Sequence, residues 1–217
     1  MRFNRLGKLA AVTAAAAIVT SALVAAPASA HGKTKPLGTR SLAAVLTADK
    51  SGFDRNGGDY DILTAAVLAV LEAKPSSAVG VLTDGRTTLT AFIPNDRAFQ
   101  RLVADLRHTK RLPSEKVAFI AVAGLGIDTV EAVLLYHVVP GARITGAAAL
   151  KADGAALTTA AGSTIRVDVY GHWWKRVKLV DADRNDRDPR VISFDINQRN
   201  RQIAHGIDRV LRPLDLP

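Results

Sequence analysis

Apolar residues recur at helical spacing through the first two thirds of the chain. From Ile62 to Leu71 they lie three or four residues apart, and Pro75 closes the segment. This spacing places them on one face of an amphipathic helix. Shorter helical segments are predicted to begin close to Ser41, Asn95, Ser114 and Asp128.

Asn95 is placed to cap the helix that follows it. Its side-chain oxygen can accept a backbone N–H of the first turn, and the helix would bury Phe99. Residues 128–131, Asp-Thr-Val-Glu, resemble a capping box for a later helix. Gly141 is then expected to end that helix in the left-handed conformation.

From about Leu157 the pattern changes from helical to alternating. Ile165, Val167 and Val169 fall on one side of a predicted strand, and the residues between them are polar or aromatic. Further strands are predicted at 87–93, 177–180, 190–194 and 203–211. Helices early in the chain and strands late predict an α+β fold.

The first 30 residues are typical of a signal peptide. Three basic residues precede an almost wholly apolar stretch, and Ala28-Ser29-Ala30 has the small-x-small form that signal peptidase accepts. The alternative is an uncleaved membrane anchor, since about 18 apolar residues can just span a bilayer, but Pro27 and the cleavage pattern favour removal. We therefore predict an exported chain with a signal peptide at 1–30, a flexible lead-in at 31–40 and one domain at 41–214.

Composition narrows the class of protein further. The chain has no cysteine, which excludes disulfides, cysteine-based zinc sites and cysteine nucleophiles, so stability must come from a buried core. Without the first 30 residues, 29 − 3 basic residues against 20 acidic ones leave a net charge of +6. This modest excess has no dense basic stripe, which argues against nucleic-acid binding. We expect no cofactor and no membrane span after signal cleavage.

Three sequence blocks carry the strongest signal. They are Leu89-Thr-Ala-Phe-Ile-Pro-Asn-Asp-Arg-Ala-Phe99, Leu134-Leu-Tyr-His-Val-Val-Pro-Gly141 and Ile203-Ala-His-Gly-Ile-Asp-Arg-Val-Leu211. In this order and at these separations they resemble the first conserved block, the Tyr-His segment and the second conserved block of the fasciclin domain family. The resemblance covers roughly residues 37–214. It implies a wedge-shaped β-sandwich of about seven strands with several helices packed around it.

The resemblance also implies a role and a set of motif residues. Fasciclin domains are mainly extracellular modules for adhesion and matrix contact, so we expect a secreted, non-catalytic protein of bacterial type that binds an extracellular protein, the matrix or a cell-wall polysaccharide. A secreted small-ligand-binding protein or hydrolase with the same fold is the alternative. The residues that match the family motif, and for which we expect structural roles, are Phe92, Pro94, Asn95, Asp96, Phe99, His205, Ile207 and Asp208.

The sequence departs from the family pattern in two places. Family members usually carry Asn-Gly before the second block, whereas here Arg201 follows Asn200. Because arginine tolerates positive φ poorly, a reshaped, longer loop is expected. Residues 49–59 also resemble an insertion, a cluster of turn-forming residues with no counterpart in compact members.

Two short motifs are candidate partner-binding sites. Tyr136-His137 is associated with adhesion in the family, but His137 lies on an apolar helix face, which favours a neutral, hydrogen-bonded core histidine that fastens the loop at residues 95–96. Asp195-Ile196 occupies the place of an integrin motif found in some animal members. The third residue there is Asn197 rather than a hydrophobic one, so an ordinary strand end is favoured.

Trp173 and Trp174 lie in the run Gly-His-Trp-Trp-Lys-Arg from 171 to 176. Adjacent residues of a strand face opposite sides, so at most one ring can be in the core. An exposed tryptophan beside Lys175 and Arg176 suits a sugar ring, an anionic polymer or a protein partner. A hairpin tip that covers the edge of the sandwich is an equally acceptable interpretation.

Neither a metal site nor a catalytic site is predicted. Asp181, Asp183 and Asn185 imitate the start of an EF-hand loop, but the sixth and twelfth positions do not fit, and nearby arginines favour a solvated turn with internal ion pairs. The sequence has no nucleophile elbow, no His-Glu-x-x-His motif and no phosphate-binding glycine loop.

Overall fold

The computed structural model describes residues 35–214, so the predicted signal peptide lies outside the described residues. The helices are α1 (Leu42–Leu46), α2 (Asp61–Ala73), α3 (Asp96–Leu106), α4 (Glu115–Ala123), α5 (Ile127–Tyr136) and α6 (Gly146–Ala149), with a 3₁₀ helix at Ala78–Thr83. The strands are β1 (Leu89–Pro94), β2 (Val138–Pro140), β3 (Ala156–Thr158), β4 (Thr164–Tyr170), β5 (Arg176–Val180), β6 (Val191–Ile196) and β7 (Gln202–Ile207).

Side-chain caps begin several of the helices, as the sequence predicts. The Asn95 side chain accepts the Ala98 N–H at 3.0 Å, and the hydroxyls of Ser41 and Ser114 cap α1 and α4 in the same way. Each cap gives a partner to an N–H that the helix itself cannot satisfy.

The capping box predicted at residues 128–131 is wrong. Helix α5 begins at Ile127 after Gly126, whose φ is 89°, and no side chain caps it. Asp128 and Glu131 instead bind the Lys74 ammonium at the end of α2. Gly141 does not end α5 either: its φ of 75° serves the turn after β2, a strand that the sequence analysis missed.

The strands form two sheets, one in the order β2-β1-β7-β6 and the other in the order β3-β4-β5. Strands β1 and β7 run parallel, with Leu89 opposite Gln202 and Pro94 opposite Ile207. The last predicted strand is shorter than expected, because β7 ends at Ile207. A mixed fold of helices and two sheets is therefore confirmed, and the wedge shape stays a prediction.

The buried apolar residues form two clusters. The first packs helices α1 to α5 against β1. The second joins Phe92 of β1 and Ile207 of β7 to the inner face of the other sheet, including Ile165, Val167 and Leu179. Side chains from both sheets thus share the second cluster.

Gly38 and Arg40 of the predicted lead-in are bound to this fold. The Gly38 N–H donates to the Arg199 carbonyl at 2.8 Å, and the Arg40 N–H donates to the Asn200 side chain at 2.9 Å. From 35 to 214, no single helix has the length and apolar character to cross a membrane. The bent pair α4 and α5 meets that test together, by length and composition only.

Candidate functional site

The three sequence blocks meet in space. Strand β1 of the first block pairs with β2 on one side and with β7 of the second block on the other. The Asn95 N–H also donates to the Ile207 carbonyl at 3.2 Å. The motif residues Phe92, Pro94, Asn95, Asp96, Phe99, His205 and Ile207 are all buried. The blocks therefore build the core rather than an exposed surface.

Tyr136 and His137 are both buried, with 0% and 4% of their surface exposed. Burial raises the pKa of Tyr136 to about 12, and its hydroxyl lies 3.4 Å from the Thr164 carbonyl. Neither side chain can reach a partner in this conformation. The candidate adhesion pair is part of the core.

The partners of His137 differ from those expected. Its ring does not contact the loop at 95–96; Nδ1 lies 2.7 Å from the Val133 carbonyl, and Nε2 accepts the Leu211 N–H at 2.9 Å. His137 thus fastens α5 to the end of the second block. Burial lowers the pKa of the imidazole to about 4.

His205 lies in β7, and like His137 its ring is held by two backbone groups. Its Nδ1 accepts the Asp195 N–H at 3.2 Å, and its Nε2 lies 2.8 Å from the Ile144 carbonyl. The ring packs beside Phe92 and Phe194. Burial lowers the pKa of this imidazole too. A packing role for His205 therefore fits all of its contacts.

Asp195 and Ile196 are engaged inside the fold. The Asp195 carboxylate accepts the Gly146 N–H at 2.7 Å, and Ile196 packs against the first apolar cluster. Asp195 and Asn197 have φ values of 62° and 64°, so the loop before β7 is reshaped without positive φ at Arg201. These contacts give the half-buried Asp195 and Ile196 structural roles in the β6–β7 hairpin.

The acidic residues after β5 hold the end of the second block. Asp183 is buried and forms an ion pair with Arg212 at 3.0 Å, so the predicted solvated turn is wrong at this residue. The Asp181 carboxylate accepts the Arg212 N–H at 2.8 Å, and burial raises its pKa to about 6. Asp208 accepts the Arg190 backbone N–H at 2.8 Å, as expected of a structural motif residue.

The Trp hairpin, residues 171–175 between β4 and β5, is the part of the described surface that best suits a partner. Trp173 and Trp174 are 86% and 84% exposed, so neither covers the edge of the sandwich. The His172 ring meets the Trp173 ring edge to face at 4.9 Å. Gly171 has a φ of 93°, and a Cβ there would lie 2.4 Å from the Trp174 carbonyl oxygen. Only glycine allows this loop shape.

Basic side chains flank the Trp hairpin. Lys175 and Arg176 are exposed at its end. The half-buried Tyr170 lies opposite Arg176 in the β4–β5 register, and the Arg190 guanidinium lies 5.9 Å from the Tyr170 ring. The arrangement combines aromatic surface with positive charge, a combination that suits sugar rings bearing carboxylate or phosphate groups.

A groove of about 430 Å³ lies between α3, α5 and residues 210–214. Its lining is almost wholly apolar, with Leu102, Leu106 and Val133 among the side chains. Among the described residues that line it, the carboxylate is that of Asp128, which lies at the exposed rim. The groove has the volume of a small-ligand site.

Two features of the structure escaped the sequence analysis. The buried Gln202 side chain accepts the Leu42 N–H and donates to the carbonyls of Val81 and Asp84, so it joins β7 to α1 and the 3₁₀ helix. The residues 49–59, predicted as a turn cluster, bring acidic groups against α3 and α4. Asp96, the first residue of α3, lies beside these acidic groups, and burial raises its pKa to about 8. The dense spacing of acidic residues from 54 to 61 was the signal available for the second feature.

Comparison with known proteins agrees with the three blocks. The sequence model of the fasciclin domain matches residues 64–213, more than half of the chain. No curated protein matches this chain. Among solved structures, a FAS1 domain pair from the insect cell adhesion molecule fasciclin I is 16% identical, with a TM-score of 0.44 over 70% of this chain; the match spans 43% of that chain, less than half its length. This chain belongs to the fasciclin domain family.

Proposed function

We propose that this chain is a secreted, non-catalytic protein that mediates adhesion or binding at a cell surface or in the extracellular matrix. Fasciclin domains are often related to cell adhesion, which supports the class of function. The signal-peptide pattern in the first 30 residues supports export, and export with no cysteine supports a bacterial type of cell.

The observation that carries the proposal is the double exposure of Trp173 and Trp174. Burial of a large aromatic side chain normally stabilises the folded protein, so aromatic surface that stays exposed marks a contact site for a partner. Gly171, with its positive φ, permits the turn that presents both rings. The Trp hairpin is therefore the binding site in this proposal.

A polysaccharide with anionic groups is the partner that the surroundings favour. Tryptophan rings stack on the apolar faces of sugars, while Lys175, Arg176 and Arg190 attract carboxylate or phosphate groups. An extracellular protein partner would use the same rings as hot spots. Ionic strength distinguishes the contribution of the basic side chains from that of the tryptophan rings. Salt screens exposed charges but leaves stacking intact.

The proposal is tested by retention of the purified protein on insoluble cell-wall polysaccharide. Trp173→Ala and Trp174→Ala should each weaken retention about tenfold or more, as for a central aromatic contact. Lys175→Gln with Arg176→Gln should abolish much of the salt dependence. Ile120→Ala is the matched control, because Ile120 is 59% exposed on α4, outside the Trp hairpin. Equal retention of the parent and the double tryptophan variant would contradict the proposal.

The apolar groove supports a second candidate function, binding of a small apolar ligand. Its volume lies in the usual range for ligand sites, and its polar rim is limited to Asp128, Thr129 and Arg212. Ala132 is exposed and lines the groove, so Ala132→Trp should fill it. A fluorescent lipophilic probe should bind the parent and not this variant. Equal binding of the probe to the parent and to Ala132→Trp would exclude the groove as its binding site.

A further inference from the structure

Five carboxylates converge where residues 54–61 meet helices α3 and α4. Oxygens of Asp59, Asp96 and Glu115 lie within 4.8 Å of one another, and oxygens of Asp54, Asp59 and Asp61 do the same. Asp59 belongs to both groups and lies between them. We name these five residues the acidic cluster.

Asp96 and Glu115 of the inner group are buried, and several carboxylate oxygens of the acidic cluster lack partners. Glu115 is 1% exposed, and neither of its carboxylate oxygens forms a hydrogen bond. One oxygen each of Asp59 and Asp61 is also buried without a partner. Buried polar atoms are normally hydrogen bonded, and charged ones normally face an opposite charge. Within residues 35–214, no lysine, arginine or histidine forms an ion pair with any member of the acidic cluster.

Backbone contacts fix the shape of the acidic cluster. The Asp96 N–H donates to the Asp59 carbonyl at 3.0 Å, and the Arg97 N–H donates to the Gly57 carbonyl at 2.9 Å. One Asp96 oxygen accepts the Ile62 N–H at 2.9 Å, which ties the start of α2 to the start of α3. The carboxylates are thus held together rather than free to move apart into solvent.

Helix polarity explains only part of this arrangement. Asp61, Asp96 and Glu115 are the first residues of α2, α3 and α4, where the positive end of a helix favours a carboxylate. That effect accounts for an acid at each helix. It does not account for the acids of two helix starts, Asp96 and Glu115, lying with Asp59 so that their oxygens are within 4.8 Å of one another, with both Glu115 oxygens unpartnered.

We propose that the acidic cluster binds a calcium ion, with Asp59, Asp96 and Glu115 as its inner ligands and Asp54 and Asp61 at its open side. Calcium takes six to eight oxygen ligands at about 2.3–2.6 Å, so oxygens on opposite sides of the ion are separated by about 4.6–5.2 Å. Oxygens that lie within 4.8 Å of one another can therefore reach one ion. Magnesium demands an octahedron and retains its water, which suits a buried set of carboxylates less well. The bound ion joins residues 54–61 to the first residues of α2, α3 and α4. This role is independent of binding at the Trp hairpin.

Thermal unfolding with and without calcium tests the proposal. In about 10 mM calcium chloride, above the range of weak extracellular sites, the melting temperature of the parent should rise by roughly 3–6 °C relative to chelator. Magnesium chloride at the same concentration should give a smaller rise. Isothermal titration of the parent with calcium chloride should give one saturable site.

Glu115→Gln keeps the size of the side chain and removes its charge, so the calcium-dependent rise should disappear. Glu72→Gln is the matched control, an exposed glutamate on α2 outside the acidic cluster, and should keep the rise. Asp59→Asn replaces Glu115→Gln if the latter does not fold. The proposal is overturned if the parent shows no rise, or if the rise persists in the Glu115 or Asp59 variant. If the carboxylates only complement the positive ends of their helices, the melting temperature of the parent will not rise with calcium.

Discussion

Each of the two buried histidines is held as one neutral tautomer by two backbone groups. The Val133 carbonyl can only accept, so Nδ1 of His137 carries the proton, and Nε2 must be free to accept the Leu211 N–H. His205 is the mirror case, with the proton on Nε2 facing the Ile144 carbonyl. Protonation of either ring would convert its accepting nitrogen into a donor that faces a backbone N–H, which breaks one hydrogen bond.

We predict that His137 stays neutral in the folded protein down to about pH 4. Burial sets its folded pKa at about 4, below the ordinary value of 6.5. The unfolded chain therefore binds the proton first, so the contribution of His137 to stability is complete above pH 6.5 and is lost as pH falls towards 4. The loss amounts to roughly 3 kcal/mol.

Two measurements check this prediction. Long-range ¹H–¹⁵N spectra should show His137 as the Nδ1–H tautomer without titration near pH 6.5, and His137→Gln assigns its signals. The difference in unfolding free energy between parent and His137→Gln should shrink as pH falls from 6.5 to 4. The comparison is needed because Asp181, whose folded pKa is about 6, changes stability in the opposite sense over this range. Titration of folded His137 at its ordinary pKa would refute the assignment.

At the scale of elements, the segment after β7 depends on a buried charge network. Arg212 binds Asp105, Asp183 and Asp186 at 3.0 Å each, and only 8% of its side chain is exposed. Arg209 binds Asp105 and Asp186 from a more exposed position, with 19% of its side chain exposed. The two arginines hold together the end of α3, the loop after β5 and the end of the second block.

We predict that Arg212→Met destabilises the fold by about 3 kcal/mol or more, because it removes a buried cation that binds Asp105, Asp183 and Asp186, of which Asp183 is itself buried. Arg209→Met should cost less, since water screens its ion pairs better. Chemical denaturation of the two variants measures the difference. An equal or larger loss for Arg209→Met would show that burial does not govern this network.

Sequence patterns predicted those parts of the elements that depend on near neighbours. The Asn95 cap and the helix start at Ser114 depend only on the next few residues, and both predictions were correct. The predicted capping box failed because a distant residue, Lys74, binds both of its acids. Gln202 and the acidic cluster were missed for the same reason, since their partners lie far away along the chain. The exposure of both tryptophans likewise depends on how β4 and β5 end, which the alternating pattern does not specify.

At the scale of the whole molecule, β1 and β7 connect the two apolar clusters. Phe92 of β1 belongs to the second cluster, whereas Ala91 and Ile93 beside it belong to the first. In β7, Ala204 packs in the first cluster and Ile207 in the second. No cysteine is present to hold the parts together, so these shared strands couple the helical and the sheet regions. Loss of one cluster should expose the strands that the other needs.

We therefore predict that the domain unfolds as one unit, and that damage in either cluster is felt in both. Leu63→Ala in α2 and Leu179→Ala in β5 should each cost about 2–5 kcal/mol, since both side chains are buried. Calorimetry should show a single transition for the parent and for each variant. Amide hydrogen exchange should show equal losses of protection in α2 and β5, whichever residue is changed. If Leu179→Ala lowers protection in the three-stranded sheet but leaves α2 unchanged, the shared strands do not couple the clusters, and the two regions fold separately.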